Sequence, residues 1–221
     1  MLGSIKAVIF DMDGVLIESE HLWRKAMIIG FKEYGITLSE ADCRKTMGLR
    51  IGEVINLWLV HFKLTEISTK QLENRIIELL LSLIEESGTF MQGIPALIAY
   101  CRQKKLKLGL ATSSSVLLMN AVLKKLDLTN EFDAALSAEF LPYGKPHPQV
   151  FLMCAEKLEI APQECLVIED SLNGVIAAKA AQMKVIAVPD EEHTSIQGFA
   201  VADYKRDTMH DVLALFKTIL S

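Results

Sequence analysis

The sequence has few aromatic residues, no long apolar run and no excess of positive charge. Aromatic residues make up 7% of the 221 residues, so the core has to be built from aliphatic side chains. No stretch has the roughly 18 consecutive apolar residues of a membrane helix, and the N-terminal segment lacks the pattern of a secretory signal. The 28 acidic residues outnumber the 23 basic ones, for a net charge of −5, which argues against binding a nucleic-acid backbone. We therefore expect a cytoplasmic monomer with no nucleic-acid or membrane partner.

Cysteine is scarce and its spacing fits neither zinc nor disulfides. The four cysteines are far apart and form no CxxC pair; they are Cys43, Cys101, Cys154 and Cys165. The five histidines also lack the spacing of metal ligands. We expect the cysteines to be buried thiols.

Hydrophobic patterning predicts an α/β fold with a helical insertion. Residues 5–10 form a short apolar strand, whereas residues 20–88 have helical periodicity and no convincing strand. From residue 93 onwards strands and helices alternate, which requires a parallel sheet with helices on both faces. The predicted fold is a doubly wound parallel sheet with a Rossmann-like core, formed by 1–17 and 89–221. Residues 18–88 form an inserted α-helical cap over the edge where such sheets bind ligands.

Polar clusters follow four of the predicted strands. They are Asp11 with Asp13, Thr112-Ser113, Gly144-Lys145-Pro146 and Glu169-Asp170-Ser171. Each alone has an ordinary explanation as a helix cap, a turn or a solvated side chain. The carboxyl ends of parallel strands meet at one edge, so the four together predict a single site that combines carboxylates with hydroxyl and ammonium groups.

This combination suits the transfer of a phosphoryl group. Clustered carboxylates repel one another unless a cation lies among them, and hard oxygen ligands favour Mg²⁺ over zinc. Asp11 is the candidate nucleophile, which would form an aspartyl-phosphate, and Asp13 is the candidate general acid and base. Thr112, Ser113 and Lys145 are candidates for holding the phosphoryl oxygens.

The four motifs, in this order, resemble those of the haloacid dehalogenase-like superfamily, and the resemblance runs essentially end to end. Within it the chain is similar to the β-phosphoglucomutase-like branch, and the segments 46–58 and 137–151 are similar to bacterial hexitol phosphatases, also called 2-deoxyglucose-6-phosphate phosphatases. The resemblance implies Mg²⁺ ligands at Asp11, the backbone carbonyl of Asp13 and Asp170, with Glu169 in support. It also implies that small hexose or hexitol phosphates are hydrolysed.

Four other activities were weighed. Dehalogenases of the superfamily lack the second aspartate, so Asp13 argues against them. Phosphonatases need a cap lysine, for which Lys25, Lys32 and Lys63 are available but are expected to be solvated. Sugar-phosphate mutases typically have a histidine twelve residues after the nucleophile, where this chain has Trp23. A non-catalytic sugar-phosphate sensor would have been free to lose Asp11 or Asp13.

Substrate selection is expected to come from the cap. Arg50 follows a glycine turn and could reach a sugar hydroxyl or a second anionic group, or could lie on the surface between helices. Trp23 could line a sugar pocket or pack at the hinge. Glu18 and Ser19 are expected at the hinge about which the cap opens and closes.

Overall fold

The computed structural model describes residues 5–46, 48–64, 66–190 and 193–219. Its centre is a sheet of six parallel strands in the order β3-β2-β1-β4-β5-β6. The strands are β1 (Ala7–Phe10), β2 (Lys107–Thr112), β3 (Ala134–Ser137), β4 (Cys165–Glu169), β5 (Lys184–Ala187) and β6 (Tyr204–Lys205). This arrangement confirms the predicted doubly wound parallel sheet.

Helices cover both faces of the sheet and fill the insertion after β1. Those of the insertion are α1 (Glu20–Glu33), α2 (Glu40–Arg44), α3 (Ile51–His61) and α4 (Thr69–Ser87). The others are α5 (Ile94–Gln103), α6 (Val116–Lys125), α7 (Gln149–Leu158), α8 (Leu172–Ala180) and α9 (Met209–Ile219).

The strands are buried on both faces because helices lie on both sides. In β1, Val8 and Phe10 belong to the apolar cluster that includes α5, α6 and α9. The intervening Ala7 and Ile9 belong to a second cluster with α7 and α8. All four side chains are fully buried, which explains why the sequence of this strand is apolar at every position.

The inserted helices pack on one another and on one face of the core. Helix α4 contacts α1, α3 and α6, and its apolar residues are continuous with the cluster around α5, α6 and α9. Gly30 permits the close approach of α1 and α4, because a β-carbon there would lie 2.5 Å from Cγ1 of Ile76. The insertion is therefore anchored through α4.

The chain enters and leaves the insertion at the same place. Ile17 forms an antiparallel bridge with Phe90, and the Glu18 amide donates a hydrogen bond to the Thr89 carbonyl at 3.0 Å. The expected boundaries, 17/18 and 88/89, fall at this paired crossing. The division of the chain into core and cap stays a prediction.

Several local predictions differ from the structure. Helix α2 and the two-residue strand β6 were not predicted, because each is too short to produce a periodic signal. The sequence Ser68-Thr69-Lys70-Gln71 is typical of a capping box, but the Ser68 side chain only accepts from the Gln71 amide at 3.4 Å, without the reciprocal bond. A complete capping box forms instead between Ser39 and Asp42.

Two compositional expectations can be compared directly with the structure. All four cysteines are buried free thiols, as expected. Within the described part of the chain, no helix is both long enough and apolar enough to cross a membrane.

Candidate active site

The candidate site lies where the strand order changes direction. The chain runs outward from β1 through β2 to β3, and from β4 through β5 to β6, so the adjacent carboxyl ends of β1 and β4 form a crevice. Asp11 directly follows β1, Glu169 is the last residue of β4, and Asp170 follows it. The backbone pairing of these two strands places the three carboxylates together.

Lys145 is buried among these carboxylates. Its Nζ atom lies 2.8 Å from Asp11 Oδ1 and 2.5 Å from Glu169 Oε1, and it donates to the Ala111 carbonyl at 3.1 Å. Burial alone would lower the pKa of Lys145, but the charges of Asp11 and Glu169 outweigh it and raise this pKa. The lysine therefore stays charged and neutralises part of the acidic cluster.

One ammonium group does not balance three carboxylates. Asp11, Glu169 and Asp170 are buried, and each offers an oxygen within 4.8 Å of the other two. Burial and the charge of Glu169 raise the pKa of Asp11 to about 7 despite Lys145. The same two causes raise the pKa of Asp170 well above its usual value.

The donor set fits a hard divalent cation. Asp11 Oδ1 is buried and receives no well-aligned hydrogen bond from the described residues, although the lysine charge is near. Glu169 is fully engaged, because Oε1 meets Lys145 and Oε2 accepts from the amide and hydroxyl of Ser171 at 3.0 Å each. Asp11 and Asp170 therefore have more capacity for a metal ion than Glu169, whose position suits a supporting role.

Gly14 makes room for this cluster. Its φ of +70° favours glycine, and a β-carbon there would lie 2.0 Å from Asp170 Oδ2. The turn that follows β1 can therefore pass close to Asp170 only with glycine at this position.

Asp13 lies outside the acidic cluster and is held by three donors. Its Oδ1 accepts from the Ser19 hydroxyl at 2.5 Å and from Nε1 of Trp23 at 2.8 Å, and its Oδ2 accepts from the Ser114 hydroxyl at 2.7 Å. We call these residues the Asp13 clamp. Ser19 and Trp23 belong to the segment that leads into and forms α1, whereas Ser114 follows β2.

A cleft of about 650 Å³, including its solvent opening, separates the inserted helices from these strand ends. Its core side is polar, with Asp11, Asp13, Asp170, Thr112, Ser113 and Ser114. Its helical side is mostly apolar, with Trp23, Met27, Cys43, Leu49, Ile51 and Val54, to which Glu20, Arg24 and Thr46 add polar groups. Burial and the charge of Asp13 raise the pKa of Glu20 to about 7.

Comparisons with known proteins identify relatives of this chain. The model of the haloacid dehalogenase-like hydrolases matches residues 5–182. The chain belongs to this family. It is 41% identical to hexitol phosphatase B of Escherichia coli over 211 residues, which cover 95% of each chain. It is 30% identical to a phosphorylated carbohydrates phosphatase of Thermotoga maritima, over 95% of this chain and 98% of that one.

A solved structure is similar to this chain over nearly its whole length. The β-phosphoglucomutase of Clostridium difficile has a TM-score of 0.86 and 25% identity, over 98% of this chain and 97% of that one. Membership of the hydrolase family and the likeness to named phosphatases confirm that the chain is an enzyme, a phosphoric monoester hydrolase.

The predicted core residues of this hydrolase meet at one site. Thr112 and Ser113 line the cleft, and the Ser113 hydroxyl donates to the Gly48 carbonyl of the insertion at 3.3 Å. Lys145 lies against Asp11, and its direct contact with a phosphoryl oxygen stays a prediction. The residues that sequence reasoning missed are Ser114, Glu20 and Arg24, because only the tertiary fold brings them to the cleft.

The Arg50 guanidinium is held by other groups of the protein. It pairs with Glu53 and donates to the carbonyls of Leu141 at 2.8 Å and Ala138 at 3.4 Å, and it does not line the cleft. A contact of Arg50 with the substrate, one of the two alternatives expected from the sequence, stays a prediction. The side chain joins α3 to the loop that precedes Lys145.

The buried carboxylates predict an unusual stability change. In the folded protein without metal, Asp11 and Asp170 keep their protons above the ordinary aspartate pKa of 3.8, so stability falls as the pH rises from about 4 through 7. Asp170→Asn should therefore raise the unfolding midpoint in EDTA at pH 7.5. The expected gain is on the order of 1–3 kcal/mol, at about 2–4 °C per kcal/mol.

Thermal unfolding at pH 5 and pH 7.5 tests this prediction. At pH 5 the gain should shrink, because burial and the charge of Glu169 raise the pKa of Asp170 and a larger fraction of this carboxyl is then protonated in the folded wild type. Asp207→Asn, at an exposed aspartate, is the matched control and should change little at either pH. A loss of stability in Asp170→Asn at pH 7.5 would contradict the repulsion argument.

Proposed function

We propose that the protein is a Mg²⁺-dependent phosphatase that hydrolyses small hexose or hexitol phosphates through an aspartyl-phosphate on Asp11. The observation that carries the proposal is the contact of buried Lys145 with Asp11, beside a cleft that Asp11, Asp13 and Asp170 line. The names of the two related phosphatases support a phosphorylated carbohydrate as substrate.

In the first step an Asp11 carboxylate oxygen attacks phosphorus, and the bond from phosphorus to the sugar oxygen breaks. Asp13 gives its proton to the leaving alkoxide, which departs as an alcohol. Lys145 favours the ionised nucleophile, because its ammonium charge lowers the pKa of Asp11. The hydroxyls of Thr112 and Ser113 face the same cleft and would orient the phosphoryl oxygens.

In the second step water attacks the phosphorus of the aspartyl-phosphate, and Asp13 takes a proton from that water. The bond from phosphorus to Asp11 breaks, and inorganic phosphate leaves with the protein returned to its starting state. The Asp13 clamp holds the carboxylate that serves both steps.

Asp11, Asp170 and the Asp13 carbonyl would hold Mg²⁺, with Glu169 in support. When bound, the ion supplies positive charge that neutralises the carboxylates and polarises the phosphoryl group. The acidic cluster supports this assignment of Mg²⁺, because ionising both Asp11 and Asp170 beside one lysine is costly without a further cation.

Residues 18–88 would act as a cap that hinges at Glu18 and Ser19. Closure would exclude water during the first step, and partial opening would admit it for the second. The monomeric state and the cytoplasmic location stay predictions.

The first prediction concerns the nucleophile. Asp11→Asn keeps the shape but removes the attacking oxyanion, so turnover of p-nitrophenyl phosphate with Mg²⁺ should fall by roughly 10⁴–10⁶-fold. The unfolding midpoint should not fall, because this substitution also removes a charge from the buried acidic cluster, and EDTA should abolish phosphate release by the wild type. Asp207→Asn should retain full activity. Near-normal turnover by Asp11→Asn would refute the covalent mechanism.

The second prediction concerns the Asp13 clamp. Trp23→Phe removes the N–H donor at 2.8 Å, so kcat should fall about tenfold, as expected for one hydrogen bond to a charged group. Trp58→Phe is the matched control, because Nε1 of Trp58 is buried in α3 and donates to no described group. Steady-state kinetics and unfolding midpoints of both variants distinguish an effect on kcat from a loss of stability. An equal loss of kcat in the two variants would contradict the role assigned to the hydrogen bond from Trp23 to Asp13.

A sugar-phosphate mutase is the second candidate, favoured by the likeness to the mutase of Clostridium difficile. Trp23 argues against it, because an indole cannot shuttle a proton. We expect β-glucose 1-phosphate to yield inorganic phosphate and glucose, with no glucose 6-phosphate visible by phosphorus NMR. Accumulation of glucose 6-phosphate in the presence of a bisphosphate primer would favour the mutase instead.

A further inference from the structure

The two sides of the cleft differ in charge. Of the described residues that line it, the inserted helices contribute two charged ones, Glu20 and Arg24, one turn apart on α1. The remaining helical lining is apolar except for Thr46 and the backbone at Gly48. The transferred phosphoryl group belongs at the core side, next to Asp11. Its leaving group therefore has to lie against the helical side.

On the helical side of the cleft, the Arg24 guanidinium has N–H donors that form no hydrogen bond with the described residues. Its side chain is 21% exposed, and its two carboxylate neighbours are 3.9 Å away at Glu20 and 3.8 Å away at Glu40, too far for hydrogen bonds. No hydrogen bond joins its guanidinium to another described residue, although that group has five N–H donors. A half-buried guanidinium whose nearest carboxylates lie beyond hydrogen-bond distance keeps unused donors, so an acceptor on a bound ligand would stabilise it.

Glu20 complements these donors. Its carboxylate lines the same cleft and lies beside Arg24, so the pair presents donors and acceptors at adjacent positions. Neighbouring hydroxyl groups need this combination, because each hydroxyl both donates and accepts. The apolar side chains around the pair, such as Met27 and Val54, would contact the carbon skeleton of a sugar or polyol.

The charge balance on the helical side argues against a second anion. Glu20 and Arg24 together carry no net charge when both are ionised, and Asp13 adds a carboxylate at the same end of α1. A second phosphate or a carboxylate on the substrate would lie near these acids with a single guanidinium to balance it. An uncharged leaving group that carries hydroxyls avoids this repulsion.

We infer that Arg24 and Glu20 bind the hydroxyls of the leaving group and select singly phosphorylated, otherwise neutral sugars or polyols. This inference rests on the proposed function and extends it to the residues that determine specificity. Arg24 is the principal donor, and Glu20 is the acceptor that also disfavours a second anion.

The test compares a hydroxylated substrate with one that has no hydroxyls. For Arg24→Met we expect the ratio of kcat/KM for sorbitol 6-phosphate to that for p-nitrophenyl phosphate to fall about 10- to 100-fold. Arg24→Gln keeps two donors and should lower the ratio less, which keeps the test valid if the methionine variant folds poorly. Arg75→Met is the matched control on α4, where the arginine is exposed and pairs with Glu33, and it should keep the wild-type ratio.

A second experiment tests whether Glu20 disfavours substrates that carry a second phosphate. Glu20→Gln should raise kcat/KM for fructose 1,6-bisphosphate relative to fructose 1-phosphate by about 3- to 10-fold. The inference is overturned if the sorbitol ratio of both Arg24 variants stays within threefold of wild type, or if Arg75→Met lowers it equally. It is also overturned if Glu20→Gln leaves the bisphosphate ratio unchanged. If the wild type releases no phosphate from any of these substrates with Mg²⁺, the proposed function itself fails, which is a distinguishable result.

Discussion

Three carboxylates share one buried ammonium group at the junction of β1 and β4. Lys145 contacts two of them, Asp11 and Glu169, and Asp170 completes the cluster. When all are ionised, the cluster keeps an excess of two negative charges in a site with little water. Such an excess is tolerated only by protonation or by a bound cation, because burial penalises uncompensated charge. The raised pKa values of Asp11 and Asp170 favour protonation when no metal is bound. Bound Mg²⁺ would supply the compensating cation.

The same constraint explains the local backbone. Both carboxylate oxygens of Glu169 have partners within the protein, because Lys145 donates to one and Ser171 donates twice to the other. Gly14 lets the turn after β1 pass beside Asp170 without a steric clash. The cluster is therefore supported by backbone geometry as much as by side chains. Its acids differ accordingly, since Asp11 keeps an oxygen without a hydrogen bond among the described residues, whereas Glu169 does not.

The sequence was sufficient to predict the core of the site and insufficient to predict the cap side. Asp11, Lys145 and Asp170 could be foreseen because each follows a strand, and parallel strands bring their carboxyl ends together whatever the details of packing. The orientation of Arg50 could not be foreseen, because it depends on carbonyls of Ala138 and Leu141 almost 90 residues away. Arg24 was missed for a related reason, since a charged residue on an amphipathic helix usually faces solvent and only the fold shows that this one borders the cleft.

Asp13 connects the two parts of the molecule through hydrogen bonds. Its carboxylate is held by Ser114 from the sheet and by Ser19 and Trp23 from the segment that begins the insertion. A rotation of α1 relative to the sheet would not preserve all three hydrogen bonds, because their donors lie on both sides of the boundary between the sheet and the insertion. In the proposed mechanism, the position of the inserted helices thus determines the donors around the group that gives and takes the proton. The anchoring of α4 on α6 limits such a rotation, and the paired crossing at Ile17 and Phe90 provides the place about which it would occur. Substrate recognition by the helices and proton transfer at Asp13 would then be coupled through a single helix, α1, which carries Glu20, Trp23 and Arg24.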